Sequence, residues 1–279
     1  MTDINIKNFT GNDFVKLSQL FFQTFAGAIP DAERVKMFAK HIENKSKKNI
    51  IDFYVVKEET NPIGLGGIAK FIGTSFIGYM GVDPSKRKQG IGSKLFDKLV
   101  KVAIEYYPTI ELFANLGADR IYRKSGFIDQ FRVNKIEFSL PNEFKTQFNF
   151  QKSKKIPDWL FTFDKEAMGY DRSSLLKYLV EGEDCCIVYL EEKGKECYAI
   201  KTGPILGPMI AKTDEIAIQL IGQMLKLKAN QMIVPEGILP KIEENYPFIK
   251  QHECIKMIYG KPIKDRSEWI WGYNAFAHG

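Results

Sequence analysis

The chain has 279 residues, 44 % hydrophobic and 27 % charged, which is ordinary globular composition with ample material for one large or two small domains. Its 40 basic and 34 acidic residues leave a net charge of +6, too mild to single out nucleic acid over a small anionic ligand. No apolar run approaches the roughly 18 residues of a membrane helix, and residues 1–7 lack the basic and apolar regions of a signal peptide, so the expectation is a soluble cytoplasmic protein with no membrane partner.

Residues 4–9 are a short strand candidate. Asp13 is placed to cap a helix carrying Phe14, Leu17, Leu20, Phe21 and Phe25 on one face, and residues 32–42 predict a second helix. Residues 50–57, 63–72 and 75–82 are strand-like and stand at hairpin spacing, which predicts an antiparallel meander. Ile91, Leu95, Leu99, Val102 and Ala103 then recur at helical spacing until Pro108. Residues 109–114 predict a strand, 116–124 a short helix with Gly126 as its stop, and 127–140 one or two further strands.

Periodicity weakens after residue 140, where a proline and a basic cluster appear. This predicts a linker over 141–154 between units 1–140 and 155–279. Beyond it, residues 173–180 read as a helix, 186–191 and 196–201 as a hairpin, and 214–227 as a helix. Strand candidates follow at 231–234, 254–259 and 269–276, with a helix at 238–246. The hairpin at 186–201 parallels the one at 50–72, which suggests a degenerate internal duplication. Cys185, Cys186, Cys197 and Cys254 form no CxxC pair, and His41, His252 and His278 are far apart, so the reading is free thiols and no metal.

The most informative stretch is residues 82–94, which join a strand to the long helix. Gly90 and Gly92 let backbone amides approach a ligand at a helix N-terminus, an arrangement suited to a diphosphate, and Lys86, Arg87 and Lys88 add cations. Generic nucleotide loops fit badly: a P-loop would need glycine at 87, and a dinucleotide fingerprint would need it at 95, which is Leu95. Arg87-Lys88-Gln89-Gly90-Ile91-Gly92 instead resembles the RxxGxG/A pyrophosphate loop of the GCN5-related N-acetyltransferases (GNAT). The preceding Tyr79-Met80-Gly81-Val82-Asp83-Pro84 resembles that family's fourth strand and bulge. Downstream, Asn115, Ala118, Tyr122, Gly126 and Phe127 stand at the spacing of its N-x-x-A-x-x-x-Y-x-x-x-G-F segment.

The resemblance covers about residues 3–140. It implies an α/β (α+β) fold, a mixed and largely antiparallel sheet flanked by helices, and acetyl-CoA as co-substrate. It further implies that the amides of Lys88, Gln89, Gly90, Ile91, Gly92 and Ser93 hold the pyrophosphate, with Arg87 beside them. Met80, Gly81 and Val82 would lie along pantetheine, with a strand amide polarising the thioester carbonyl. Asn115 would contact pantetheine, and Tyr122 would protonate the leaving thiolate. The acceptor would be an amine attacking directly in a ternary complex. No general base is evident: the strand position used in some members is Ile110, and alternation turns Glu111 to the other face.

Residues 155–279 lack such a loop. Met209–Glu215, as 209–215, contains no glycine and places two carboxylates where a diphosphate would sit, so no second CoA site is expected. Residues 164–176 and 207–211 resemble the C-terminal acetyltransferase-like domain of a two-domain bacterial subgroup, giving tandem domains with the second as acceptor-site cover. Asp164, Asp171 and Arg172 read either as substrate recognition or as helix capping and a surface ion pair. Trp269, Trp271, Tyr273 and Phe276 read as core packing. The leading function is an N-acetyltransferase acting on a small-molecule primary amine, with a protein or peptide N-acetyltransferase and a non-catalytic acyl-CoA-binding protein as alternatives. A nucleic-acid partner is not expected, since the basic clusters are short.

Overall fold

The computed structural model describes residues 6–9, 13–139 and 147–279. In the first half, strand β1 (Ile6–Asn8) leads into helices α1 (Phe14–Phe25) and α2 (Ala32–Lys47). Strands β2 (Ile51–Glu58), β3 (Asn61–Lys70) and β4 (Ser75–Val82) follow, then α3 (Ile91–Tyr106), β5 (Thr109–Asn115), α4 (Asp119–Lys124) and β6 (Ile128–Phe138). Asp13 does cap α1, its carboxylate accepting from the Lys16 amide at 3.3 Å. β2, β3 and β4 form the expected antiparallel meander.

The second half contains β7 (Gln151–Ser153), α5 (Asp158–Met168), α6 (Ser173–Leu179), β8 (Cys185–Leu190), β9 (Cys197–Thr202) and β10 (Ile205–Ala211). It ends with α7 (Asp214–Lys226), β11 (Gln231–Pro235), α8 (Leu239–Glu243), β12 (Phe248–Gly260) and β13 (Ile270–Gly272). Residues 141–146 of the expected linker lie outside the described residues, and its later part is a strand, because β7 pairs with β8. Of the one or two strands expected after Gly126, β6 is the one formed among the described residues. The stretch expected as a strand over 269–276 is strand only at β13. Helix α5 was not expected from the pattern.

Among the described residues the strands form one sheet, in the order β1-β2-β3-β4-β5-β12-β6-β11-β10-β9-β8-β7. The two halves therefore merge edge to edge, and they exchange strands. β12 pairs with β5 from Cys254↔Asn115 to Gly260↔Thr109 and with β6 on its other side, while β6 also pairs with β11. The pairs β4–β5 and β10–β11 are parallel, and the other main-path pairs are antiparallel.

The sheet has two covered faces in the first half. On one, α3 buries Ile91, Leu95, Phe96 and Leu99 against Ile68, Ile77 and Leu112. Each such fully buried large side chain stabilises the fold by about 1.5–3 kcal/mol. On the opposite face, α1 and α2 pack with α5 and α6 over Phe53, Leu65 and Tyr79. A ligand at the N-terminus of α3 and a ligand under α2 therefore meet β4 from different sides.

Candidate active site

β4 and β5 are bonded only from Ser75↔Ile110 to Ile77↔Leu112 and then part, leaving a fork. The parting coincides with a bulge in β4. Tyr79 and Met80 together face Gly66 of β3, between the pairs Gly67↔Gly78 and Leu65↔Gly81. Tyr79 sits at φ 56°, a left-handed conformation uncommon for a bulky residue. The bulge sends Met80 toward Leu99 of α3 and Tyr79 to the α1–α2 face. It also turns backbone groups of β4 out of the ladder and into the fork.

The loop from β4 to α3 ends on Gly90, at φ 80°, which caps the helix without any side-chain hydrogen bond. The first amides of α3 thus have no capping partner, and they add to the positive end of the helix dipole. A side chain at Gly90 would meet open space, so what glycine supplies there is the left-handed turn. Lys88, Gln89 and Ser93 are exposed, Gly92 is half-buried, and Ile91 is buried in the α3 core. The Arg87 side chain is committed to the fold. It donates to the Val82 carbonyl at 3.2 Å and to the Thr24 carbonyl at 3.1 Å, which ties the loop to β4 and to α1. Lys86 pairs with Glu58 at 2.6 Å.

A cavity of about 1230 Å³ opens beneath the fork, between the two halves. Met80, Asn115 and Tyr122 line it together, whereas Gly81, Val82 and the loop residues 87–93 lie outside its wall at the β4–α3 corner. Tyr122 packs edge-on against Phe96 at 4.6 Å, and burial, with Cys254 nearby, pushes its phenol up to about 12. Burial pushes the Cys254 thiol up to about 12 as well. The Cys254 thiol donates to Asn115 Oδ1 at 3.1 Å, and His252 Nε2 lies 2.9 Å from the same oxygen. With an amide oxygen as its partner, Nε2 carries the proton, and Nδ1 of His252 is the basic nitrogen. His252 also faces Phe276 across the cavity, at 5.4 Å between rings.

Sequence reasoning missed His252 because a lone histidine has no spacing signature. It comes to the site through the strand exchange, being on β12. Glu111 is turned away, as alternation requires, and pairs with buried Lys256 at 2.7 Å.

A second group of polar side chains lies on the α2 side of the cavity. Lys45 is buried at 2 % exposure, with its Nζ 3.1 Å from the Tyr79 hydroxyl and 2.8 Å from His278 Nε2. The Tyr178 hydroxyl lies 2.9 Å from His41 Nδ1. Burial lowers Lys45 from the ordinary lysine value of 10.5 to about 7. Burial, with Lys45 beside it, lowers His41 to about 3. Between about pH 7 and pH 10.5 the unfolded chain then binds a proton at Lys45 that the folded chain does not, so stability rises with pH across that window. In a melting series, the wild type is expected to gain on Lys45→Met as the pH rises from 7 to 10.5. A constant difference would show that Lys45 keeps its proton in the folded state.

Two family models, each of an Acetyltransferase (GNAT) domain, match the chain, one over residues 49–129 and the other over 160–272. The chain belongs to the GNAT family. It is thus an acyltransferase of the N-acetyltransferase class, with one such domain in each half. The family's co-substrate is acetyl-CoA. The chain superposes with a protein from Pyrococcus horikoshii provisionally named an acetyltransferase, with a TM-score of 0.87 and 23 % identity, over 100 % of this chain and 97 % of that one. It is also similar to a GCN5-related N-acetyltransferase from Sphaerobacter thermophilus, with a TM-score of 0.61 and 12 % identity over 95 % and 98 %. A tandem GNAT protein from the clavulanic acid biosynthesis pathway gives 0.57 and 10 % over 93 % and 99 %. At these identities the structures show a shared fold. No curated protein matches the chain.

The two GNAT halves treat their forks differently. In the second half, β10 and β11 pair at Ile205↔Gln231 and Leu206↔Met232 and then part. The gap is filled by the chain itself. β13 bonds to β10 at Met209 and Ile210, and the Tyr273 amide donates to the Ile233 carbonyl of β11 at 2.8 Å. The helix after that fork, α7, is capped by the Thr213 hydroxyl and carries Asp214 and Glu215 in its first turn, so its dipole is already met.

Asp164 and Arg172 form a buried pair rather than a surface one, at 2.9 Å, and neither lines the cavity. Asp171 caps α6 through the Ser173 amide at 2.8 Å, and its backbone bridges Ile72 of the first half. Trp271 and Tyr273 are core, but Phe276 is cavity wall against Phe113. All four cysteines are free. Among the described residues no group of three or more His, Cys, Asp or Glu could hold a metal, and no helix is long and apolar enough to cross a membrane.

Proposed function

We propose that residues 1–140 carry the acetyl-CoA site, that residues 155–279, joined through 141–154, wall the acceptor cavity, and that the acetyl group goes to the primary amine of a small molecule. The open fork beside an uncapped α3 N-terminus, set against a filled fork and a capped α7, carries this reading. The acceptor cavity is a cleft between the halves, walled by residues of both, and this concave shape favours a small acceptor over a protein surface.

On this reading the amides of Lys88, Gln89, Gly90, Ile91, Gly92 and Ser93 hold the pyrophosphate. Arg87 acts indirectly, by fixing the loop to Val82 and Thr24. Met80, Gly81 and Val82 offer pantetheine the backbone edge of β4 that faces away from β3, where β5 has parted, and Asn115 meets it from β5. Acetyl-CoA supplies the activated thioester carbon. A β4 amide past the bulge polarises its carbonyl oxygen. His252 Nδ1 takes the proton of the acceptor's ammonium, and the amine nitrogen then bonds to the acyl carbon as the carbon–sulfur bond breaks. Tyr122 gives its proton to the departing thiolate, and the second proton of the attacking nitrogen, shed as the amide forms, restores the Tyr122 phenol.

His252→Gln is expected to lower kcat/KM by about 100-fold at neutral pH. The deficit should shrink as the pH approaches the acceptor's own pKa, where free amine needs no base. A deficit independent of pH would assign His252 to shaping the cavity instead.

The first test is a thermal-shift titration with acetyl-CoA, CoA and ATP on the wild type and on Gly90→Glu, followed by an amine panel. At about 100 times Kd, a ligand stabilises the native state by about 2.7 kcal/mol. A CoA-selective shift lost in Gly90→Glu is expected. No shift with a folded protein, or an equal shift in Gly90→Glu, would refute the loop assignment.

A further inference from the structure

The described residues include four buried lysine and arginine side chains: Lys45, Arg172, Lys201 and Lys256. Three have a carboxylate partner. Arg172 pairs with Asp164, Lys201 with Asp184 and Lys256 with Glu111. Lys45 has none among the described residues. Its neighbours are the Tyr79 hydroxyl, His278 Nε2 and the rings of Tyr79 and Tyr178, each 5.8 Å from its Nζ. Lys45 is also the one of the four that lines the cavity.

Burying a charge without a counter-charge is strongly unfavourable, so folds supply a partner or let the group lose its proton. This fold supplies partners elsewhere and withholds one here. His278 Nδ1 adds a second unmet group: His278 is 1 % exposed and that nitrogen has no hydrogen-bond partner. A carboxylate entering from the cavity would meet the ammonium of Lys45, flanked by the hydroxyl of Tyr79 and the ring of His278. Lys40, Lys135, Glu181 and Glu183 also line the cavity, but within this buried cluster the one cation is Lys45, which matches a monoanion. The route from the fork to this cluster is walled by Phe21, Phe38, Phe113 and Phe276, which suits a carbon chain. The cluster reaches β4 from the α2 face, opposite the face packed by α3, so it is not placed to serve the phosphates at the α3 N-terminus.

We propose that Lys45, Tyr79 and His278 form a subsite for a carboxylate of the acceptor, so that the substrate is an amino-carboxylate whose amine points to the fork and whose carboxylate points to Lys45. This rests on the reading of the cavity as the acceptor site.

The test uses straight-chain carboxylates from butyrate to octanoate and the matching alkylamines, titrated by calorimetry into the full chain saturated with CoA. At least one carboxylate is expected to bind the wild type, with affinity falling roughly 30-fold or more in Lys45→Met. In turnover, the ω-amino-carboxylate of that chain length should exceed the plain alkylamine in kcat/KM, and Lys45→Met should erase the preference. No carboxylate binding to the wild type, or equal binding to both proteins, overturns the subsite. Should Lys45→Met not fold, Tyr79→Phe, which keeps the ring, is expected to weaken the same carboxylate about tenfold, and an unchanged affinity there overturns the subsite equally. If binding depends on Lys45 and yet no amine is acetylated, the subsite stands and the amine-transfer reading fails.

Discussion

Tyr122→Phe is expected to lower kcat by about 10²- to 10⁴-fold while leaving the KM for acetyl-CoA nearly unchanged. The ring packs against Phe96 and keeps its place without the hydroxyl, so what is removed is the proton and little else. Burial holds the phenol at about 12, which makes it a weaker acid than free tyrosine. That would count against it as a donor if the leaving group kept its ordinary solution acidity. The neighbouring Cys254 shows what the same surroundings do to a thiol, since burial raises it to about 12 too. A thiolate leaving into the same buried surroundings is likewise made more basic, which favours proton transfer from Tyr122. Because the phenol keeps its proton well above neutrality, the deficit should be constant from about pH 6 to about pH 10. Steady-state kinetics over that range decide it. Equal kcat in the two proteins would remove Tyr122 from the mechanism.

Much of the first half was legible because local chemistry dictates it. β-Branched and aromatic residues marked β2, hairpin spacing from it marked β3 and β4, and helical spacing marked α3 from Ile91 onward. Gly90 before that helix marked a strand-to-helix turn, which it makes in the left-handed conformation, leaving the first amides of α3 without a side-chain cap. What stayed hidden depends on distant partners. Nothing in residues 248–260 says that their strand will sit between β5 and β6, since an antiparallel pairing carries no local mark of its neighbour. His252, Lys45 and His278 enter the cavity through such long-range packing. Helix α5 escaped notice although Leu160, Phe163, Ala167 and Met168 are spaced for it. The inward position among them is Asp164, and a charge on an apolar stripe reads as a break. The bulge was expected from the family resemblance of residues 79–84, but its left-handed position is taken by Tyr79, a bulky residue that does not prefer that conformation, so nothing local marks it.

The same Asp164 carries the largest expected loss of stability. Its carboxylate receives Arg172 Nε at 3.1 Å and Nη2 at 2.9 Å, and the Tyr198 hydroxyl donates to it as well. The Arg172 and Asp164 side chains are 0 % and 2 % exposed. Asp164→Ala strips the counter-charge from a guanidinium that cannot shed its proton, and breaking a buried pair on one side costs about 3–5 kcal/mol. A fold of this kind has roughly 5–15 kcal/mol in all, so the variant should unfold at much lower urea. The intact pair need not be stabilising in itself, because desolvation offsets most of its attraction. Asp164→Leu combined with Arg172→Met should therefore recover most of what Asp164→Ala loses. Urea denaturation of the single and double variants separates the outcomes. A single-variant loss below about 1 kcal/mol would mean that water reaches Arg172 and that the pair is not sealed. Neither residue lines the cavity, so the folded fraction of the double variant should keep its KM for acetyl-CoA. A raised KM there would return Asp164 and Arg172 to substrate recognition.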